Sequence, residues 1–246
     1  GTIVLVAGDA GIGKSVLNLS EGLHVALGRE FLGHSTTRQR VLYFDEENSH
    51  PDIAGYLQQL WIGLGQPDPL ELAKWFYLEH FSLGATDWHA RMARIAQDCQ
   101  PGIIYVDTAT SALFITEEND NAEAQRACQH LRHVMRDTGT HPSVKVLKHA
   151  KYMSGGGHGN GEPRRTIRGA KAWLGAVDQV MYHIAESAGR PRKDGLRTTL
   201  LVPDKSRAYG LRGNIRITPA FTSATPKGLI LKGEAFTPER DLLMVA

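Results

Sequence analysis

The sequence predicts an α/β fold, a mostly parallel central sheet flanked by helices, and three observations point to it. Short β-rich apolar runs alternate with longer segments of helical period, the signature of βαβ units. The first of these runs leads directly into a glycine-rich loop that opens a helix. After His183 the pattern changes to strand-like pieces with no helix between them, so the sheet should end in antiparallel additions.

The expected parallel strands are Ile3 to Ala7, Val41 to Phe44, Phe76 to Leu78, Ile103 to Val106, Val144 to Leu147 and Gln179 to His183. Between them, Ser15 to Leu27, Pro51 to Leu64, Trp88 to Cys99 and Ala122 to Thr138 read as helices. Trp88, Met92, Ala96 and Cys99 fall on one face of the third helix, with Asp87 placed to cap it. Ala124, Ala127, Cys128, Leu131, Val134 and Met135 make the same kind of core stripe on the fourth. Arg190 to Gly195 reads as a polar turn into a strand over Thr198 to Val202, followed by β-like pieces at Ile215 to Thr218 and Leu229 to Lys232. Ser154 to Gly161 has no apolar residue to bury and is expected as a mobile loop. One domain is expected over residues 1–246, with a core to about residue 210 and a β-rich extension over about 211–246. Starting so close to its first strand, the chain reads as an excised or minimal core.

Composition sets the outer limits. A hydrophobic fraction of 41% and a charged fraction of 22% suit a soluble globular protein, and no apolar run is long enough to span a bilayer. The opening segment has no basic region and no cleavage site, so neither targeting nor membrane attachment is expected, and the expected location is cytoplasmic. Cys99 and Cys128 stand alone, as core thiols in a reducing compartment would. A net charge of +2 is too small to indicate a nucleic-acid partner by itself.

Chemistry enters at Gly8-Asp9-Ala10-Gly11-Ile12-Gly13-Lys14-Ser15, a complete G-x-x-x-x-G-K-[ST] phosphate-binding loop between a strand and a helix. Its glycines let backbone N–H groups turn inward on a phosphate. Lys14 adds a point charge at the β- and γ-phosphates, the Ser15 hydroxyl is suited to Mg²⁺, and the helix dipole assists. ATP and Mg²⁺ are therefore the expected cofactors. Asp107, closing the apolar run from Ile103, is the expected Walker B carboxylate, at the end of a buried strand neighbouring the loop strand. No N-K-x-D motif occurs, which disfavours a guanine-specific protein. A P-loop kinase stays open, because Arg164, Arg165 and Arg168 can form a basic lid.

Four segments carry a resemblance: Val41 to Ser49, Asp107 to Leu113, Lys148-His149-Ala150-Lys151 and Arg168-Gly169-Ala170. Together they resemble the RecA-like ATPases, most closely the ring-forming RepA-like replicative helicases and their primase-helicase relatives, over residues 1 to about 210. The resemblance implies a RecA-like core with a water-polarising glutamate just after the second strand. Glu47 matches that position, with Glu46 one register away, at a strand edge taken to lie beside the P-loop strand. It also implies a γ-phosphate sensor at His149, although Lys148 stands where the family often has a His or another polar residue. Lys205 and Arg207 match a K-x-R pair that reaches across a subunit boundary; two residues apart on a strand, their side chains should point the same way. The segment from Tyr152 to Arg168, with Lys151, Tyr152, Arg164, Arg165 and Arg168, matches a loop facing single-stranded nucleic acid.

The implied function is ATP hydrolysis coupled to movement on single-stranded nucleic acid by a homo-oligomer, a hexameric ring. A filament-forming repair or recombination ATPase is the first alternative and a small-molecule kinase the second. A nucleotide-gated binding module is a third, and Glu47, Lys205 and Arg207 argue against it.

Overall fold

The structure, a computed structural model, describes residues 1–80, 87–117, 120–152, 165–167, 172–186, 195–206, 213–223 and 225–236. In chain order its elements are β1 (Ile3–Gly8), α1 (Lys14–Leu27), β2 (Val41–Asp45), α2 (His50–Gly63), α3 (Pro69–Leu72), β3 (Phe76–Glu79), α4 (Trp88–Cys99), β4 (Ile103–Asp107) and α5 (Ala109–Ala112). They continue as α6 (Asn121–Asp137), β5 (Ser143–Tyr152), β6 (Arg165–Ile167), α7 (Ala172–Ala176), β7 (Gln179–Ala185), β8 (Thr199–Ser206), β9 (Asn214–Phe221) and β10 (Leu229–Phe236).

The strands form one sheet in the order β10-β9-β8-β7-β1-β5-β4-β2-β3, with β6 paired to β5 off this path. Pairs from β7 through β3 are parallel, while β7–β8, β8–β9 and β9–β10 are antiparallel, as expected for the C-terminal strands. Near-continuous apolar strands such as Ile3–Gly8, buried at every residue, are what a sheet covered on both faces requires. On one face α4, α6 and α7 pack on Leu42, Phe44, Ile104 and Val106. The stripe residues expected on α4 and α6 are the buried ones. On the other face Leu19 and Leu23 of α1 and Leu60 of α2 meet Tyr43 and Tyr105. The antiparallel extension curls back over this second face until β10 meets α2. A Cβ on Gly63 would fall 2.0 Å from the Leu229 carbonyl oxygen, so two backbones touch where only glycine fits.

Several expectations need correction. Asp87 makes no side-chain cap on α4, because its backbone (φ −100°, ψ 19°) is not the extended one that aims a cap back at the first turn. Asp107 and Gly8 are not on neighbouring strands, since β5 lies between β4 and β1, and β2, carrying the acids near Glu47, is one strand further still. β5 runs on past His149 to Tyr152 and pairs with β6, so the ends of the expected loop are strand. Ser154 to Gly161 and Arg190 to Asp194 lie outside the described residues. Cys99 and Cys128 are buried free thiols, and burial pushes them up to about 11 and about 12, where they stay protonated. No helix among the described residues is long and apolar enough to cross a membrane.

Candidate nucleotide site

Parallel strands share a carboxyl edge, and that edge gathers the polar residues. Gly8 ends β1 level with His149 of β5 and His183 of β7, and Asp45 of β2 is level with Asp107 of β4. Gly8 is required by contact: a Cβ there would fall 2.4 Å from the His183 carbonyl oxygen. Gly8→Ala should therefore displace the loop against β7 and abolish nucleotide-dependent thermal stabilisation. An unchanged nucleotide shift in a melting experiment would count against that contact.

Beyond Gly8 the chain crosses to α1. Gly13 is the N-cap, in a left-handed conformation and with no side-chain cap, and the first turn of α1 holds no acid. Its leading N–H groups are thus left to an incoming anion. Lys14 is 6% exposed, and its Nζ donates to the carbonyl oxygens of Gly8 (3.1 Å) and Asp9 (2.8 Å). Burial lowers its pKa, while Glu47, Asp107 and Asp9 pull the other way. A buried ammonium held mainly by neutral carbonyls is the group that an anionic phosphate would stabilise.

Asp107 is 1% exposed. Its Oδ2 accepts from the Tyr43 hydroxyl (2.9 Å), and its Oδ1 is buried with no hydrogen-bond partner among the described residues. Burial pushes this carboxyl up to about 6 against the opposing Ser15 and Tyr43 hydroxyls, with Asp45 and Glu47 adding to the rise. A buried carboxylate with one oxygen orphaned, and with the Ser15 hydroxyl within interaction range of the group, fits a hard cation, which would relieve both the burial and the repulsion.

The three consecutive acids divide. Asp45, fully buried, spends its carboxylate on the turn: Oδ1 accepts from the backbone N–H groups of Glu47 (3.1 Å) and Asn48 (3.0 Å), and Asn48 Nδ2 donates to both oxygens. Glu46 lies on the side of α4, whose Arg91 acts on it as an opposing charge. Burial, with Asp45 adding, pushes its carboxyl up to about 7. Glu47 turns back towards the phosphate loop, and its Oε1 lies 3.2 Å from His149 Nε2. Although β2 is not beside β1, this turn brings Glu47 within electrostatic range of Lys14 and Asp107.

The structure thus brings Gly8, Lys14, Ser15, Asp107, Glu47 and His149 to one edge. Lys205 is elsewhere, with its Nζ donating to the carbonyl oxygens of Leu174 and Val177 (2.9 Å to the latter). The expected common direction of Lys205 and Arg207 falls on a residue, Arg207, outside the described ones; a register irregularity opposite Val180 and Met181 skips Asp204 and sets Lys205 level with Val180. Arg207, Arg164 and Arg168 lie outside the described residues, and Lys151, Tyr152 and Arg165 are placed by their strand backbone alone. Sequence reasoning missed Tyr43, Asn48 and His183. His183 is 2% exposed, takes part in a 2.8 Å hydrogen bond with Thr199 Oγ1, and is lowered to about 3 by burial and by Lys14. As a strand-terminal residue it carried no signal; only the pairing with Gly8 reveals it. A cavity of about 690 Å³ also lies beside α1, but none of residues 8–15 lines it, and the phosphate chemistry is not there.

Residues 1–152 match the family model of an AAA domain. No curated protein matches the chain.

Proposed function

This chain belongs to the AAA domain family and is a P-loop ATPase, and we propose that it couples Mg²⁺-dependent ATP hydrolysis to binding and translocation on single-stranded nucleic acid, as a ring-forming replicative helicase motor. The observation that carries the hydrolytic part is the Glu47–His149 contact of 3.2 Å at the edge facing Lys14. A general base must stand within reach of the water it polarises, and a sensor must feel the same phosphate. One contact joins the two roles. Mg²⁺ held by Ser15 and by Asp107, through water, would neutralise phosphate charge. Lys14 and the first turn of α1 bind the β- and γ-phosphates, Glu47 orients and deprotonates the attacking water, and His149 reports the γ-phosphate to β5.

Two observations support the nucleic-acid and ring parts. β5 continues without interruption from His149 into Lys151 and Tyr152, where it pairs with Arg165 to Ile167, so the candidate nucleic-acid residues come directly after the sensor. β8 runs antiparallel to β7, so its Lys205 end lies level with Val180, towards the edge opposite its own phosphate loop. Arg207, which follows Ser206 at that end, is the cation that would suit a neighbouring subunit's phosphate, since Lys205 spends its ammonium on carbonyl oxygens of its own chain.

Paired substitutions test the catalytic assignment. Glu47→Gln should keep ATP-dependent thermal stabilisation and lose turnover by about 10² to 10⁴-fold, the usual worth of a general base. Glu46→Gln should keep turnover. Because the folded chain holds the Glu46 proton up to about pH 7 against an ordinary value of 4.5, ionising Glu46 weighs against folding as pH rises through that window. Glu46→Gln should therefore melt higher than the wild type at pH 8 and no higher at pH 4. A dead Glu46→Gln beside an active Glu47→Gln would reverse the roles. Turnover that single-stranded DNA leaves unchanged at every protein concentration would remove the motor reading and leave the ATPase.

A further inference from the structure

We infer that Lys205 is an intrachain positioning residue of the ATP site, fastening α7 to β8 and setting, through Trp173 and Lys148, the part of β5 that carries His149. The contacts form a continuous path. Lys205 Nζ donates to the carbonyl oxygens of Leu174 and Val177 where α7 ends, the negative end of its peptide dipoles. Arg132 donates to the Ala176 carbonyl oxygen (2.7 Å), and Asn121 Oδ1 accepts from the Ala172 N–H (3.1 Å), so α6 holds α7 at both ends while Lys205 ties it to the sheet's antiparallel extension. Inside that frame Trp173 is fully buried, and the Lys148 ammonium, itself 1% exposed, lies 5.8 Å from the centre of its ring. Lys148 and His149 are adjacent on β5 and point to opposite faces, His149 to the nucleotide edge and Lys148 to Trp173.

The register irregularity gives the arrangement its cause. By skipping Asp204, it sets Lys205 level with Val180, on the side of the sheet that α7 covers, whereas unbroken alternation from Pro203 would have turned Lys205 to the other face. Burial adds a constraint. Trp173 and Lys148 fill space in the core that covers the β4–β5–β1 sheet, so a shift of β5 at His149 cannot occur without α7 yielding or moving with it. Lys205 in this role depends on the nucleotide site proposed for Lys14, Glu47 and His149, but it changes from a ligand of a neighbour's phosphate to a residue acting within its own chain.

The test uses the full chain and three readouts. Trp173 emission, taken as the difference between the protein and its Trp173→Phe counterpart, should change when a non-hydrolysable ATP analogue binds. In Lys205→Met, which keeps the stem and loses the charge, that change should vanish with analogue affinity held within about threefold, and Lys205→Arg should restore it. A purely structural cap would lower the melting temperature and leave the emission change intact, and that result overturns the inference. So does a wild-type Trp173 signal that ignores the analogue. Should Lys205→Met not fold, hydrogen exchange on the wild type decides: analogue binding should alter protection at 148–150, 173–177 and 205–206 together, and a change confined to residues 8–15 and β5 overturns it. Finally, mixing Lys205→Met with Glu47→Gln subunits should not recover turnover, while Arg207→Ala mixed with Glu47→Gln should; recovery in the Lys205 mixture overturns the inference. Failure of the Arg207 control strikes the ring reading instead, leaving Lys205 to be judged on emission and exchange, which need no neighbour.

Discussion

Lys14→Ala is expected to lower ATP turnover by about 10²-fold or more, the usual worth of a group aimed at transition-state charge, and to erase thermal stabilisation by nucleotide. In the wild type, ATP at a hundred times its dissociation constant should add about 2.7 kcal/mol of stability, or about 5 to 10 °C in the melting temperature of a chain this size. The variant should melt close to the wild type when neither has nucleotide. Lys14 is buried, burial lowers its pKa, and its hydrogen bonds go to two carbonyl groups of its own loop. Its charge is therefore a burden to the empty fold and an asset only against an anion. Removing it should cost binding and catalysis, with little loss of folding free energy. Calorimetry in the presence and absence of ATP separates the two. Retention of both turnover and the nucleotide shift would refute the phosphate-loop assignment.

The phosphate loop was legible because it is local. Its spacing, the strand before it and the helix after it all lie within Ile3 to Leu27, so periodicity and motif coincide. The α4 and α6 stripes were legible for the same reason. Strand order was not, because nothing within β4 or β2 says that β5 inserts between β4 and β1. The expectation that put Glu47 beside the loop strand failed on adjacency, and only the turn held by Asp45 carries Glu47 back to His149. The choice among three consecutive acids likewise needed three dimensions: alternation separates Asp45 from Glu46, but the capture of the Glu47 and Asn48 N–H groups by Asp45 is what fixes the register. The face taken by Lys205 was not legible for a different physical reason, since a single skipped residue at Asp204 switches the face of the residue after it and nothing in the sequence announces it.

Arg207→Ala should reduce turnover by about 10³ to 10⁵-fold, the range over which an arginine finger acts, and the lost activity should return when this variant is mixed with Glu47→Gln subunits. Ser206, the residue before Arg207, pairs with Gln179, which in turn pairs with Val4, four residues short of Gly8. At about 3.3 Å per residue that is roughly 13 Å along the sheet from the phosphate loop of the same chain. With Ser206 so placed, the Arg207 that follows it is proposed to serve a different subunit. In a mixed assembly, ATP held by an Arg207→Ala subunit keeps its own Glu47 and can face an intact Arg207 from a Glu47→Gln neighbour, so that interface has every part. The reverse interface lacks both. With random mixing of equal amounts, about a quarter of the interfaces would be complete, far above the residual activity of either variant if the finger has the stated worth. Were Glu47 and Arg207 to act on one ATP within one chain, no mixture could rebuild a site. Turnover measured after confirmed subunit exchange distinguishes these outcomes, and activity that stays at the level of the separate variants would exclude action in trans and remove the main reason to expect a ring.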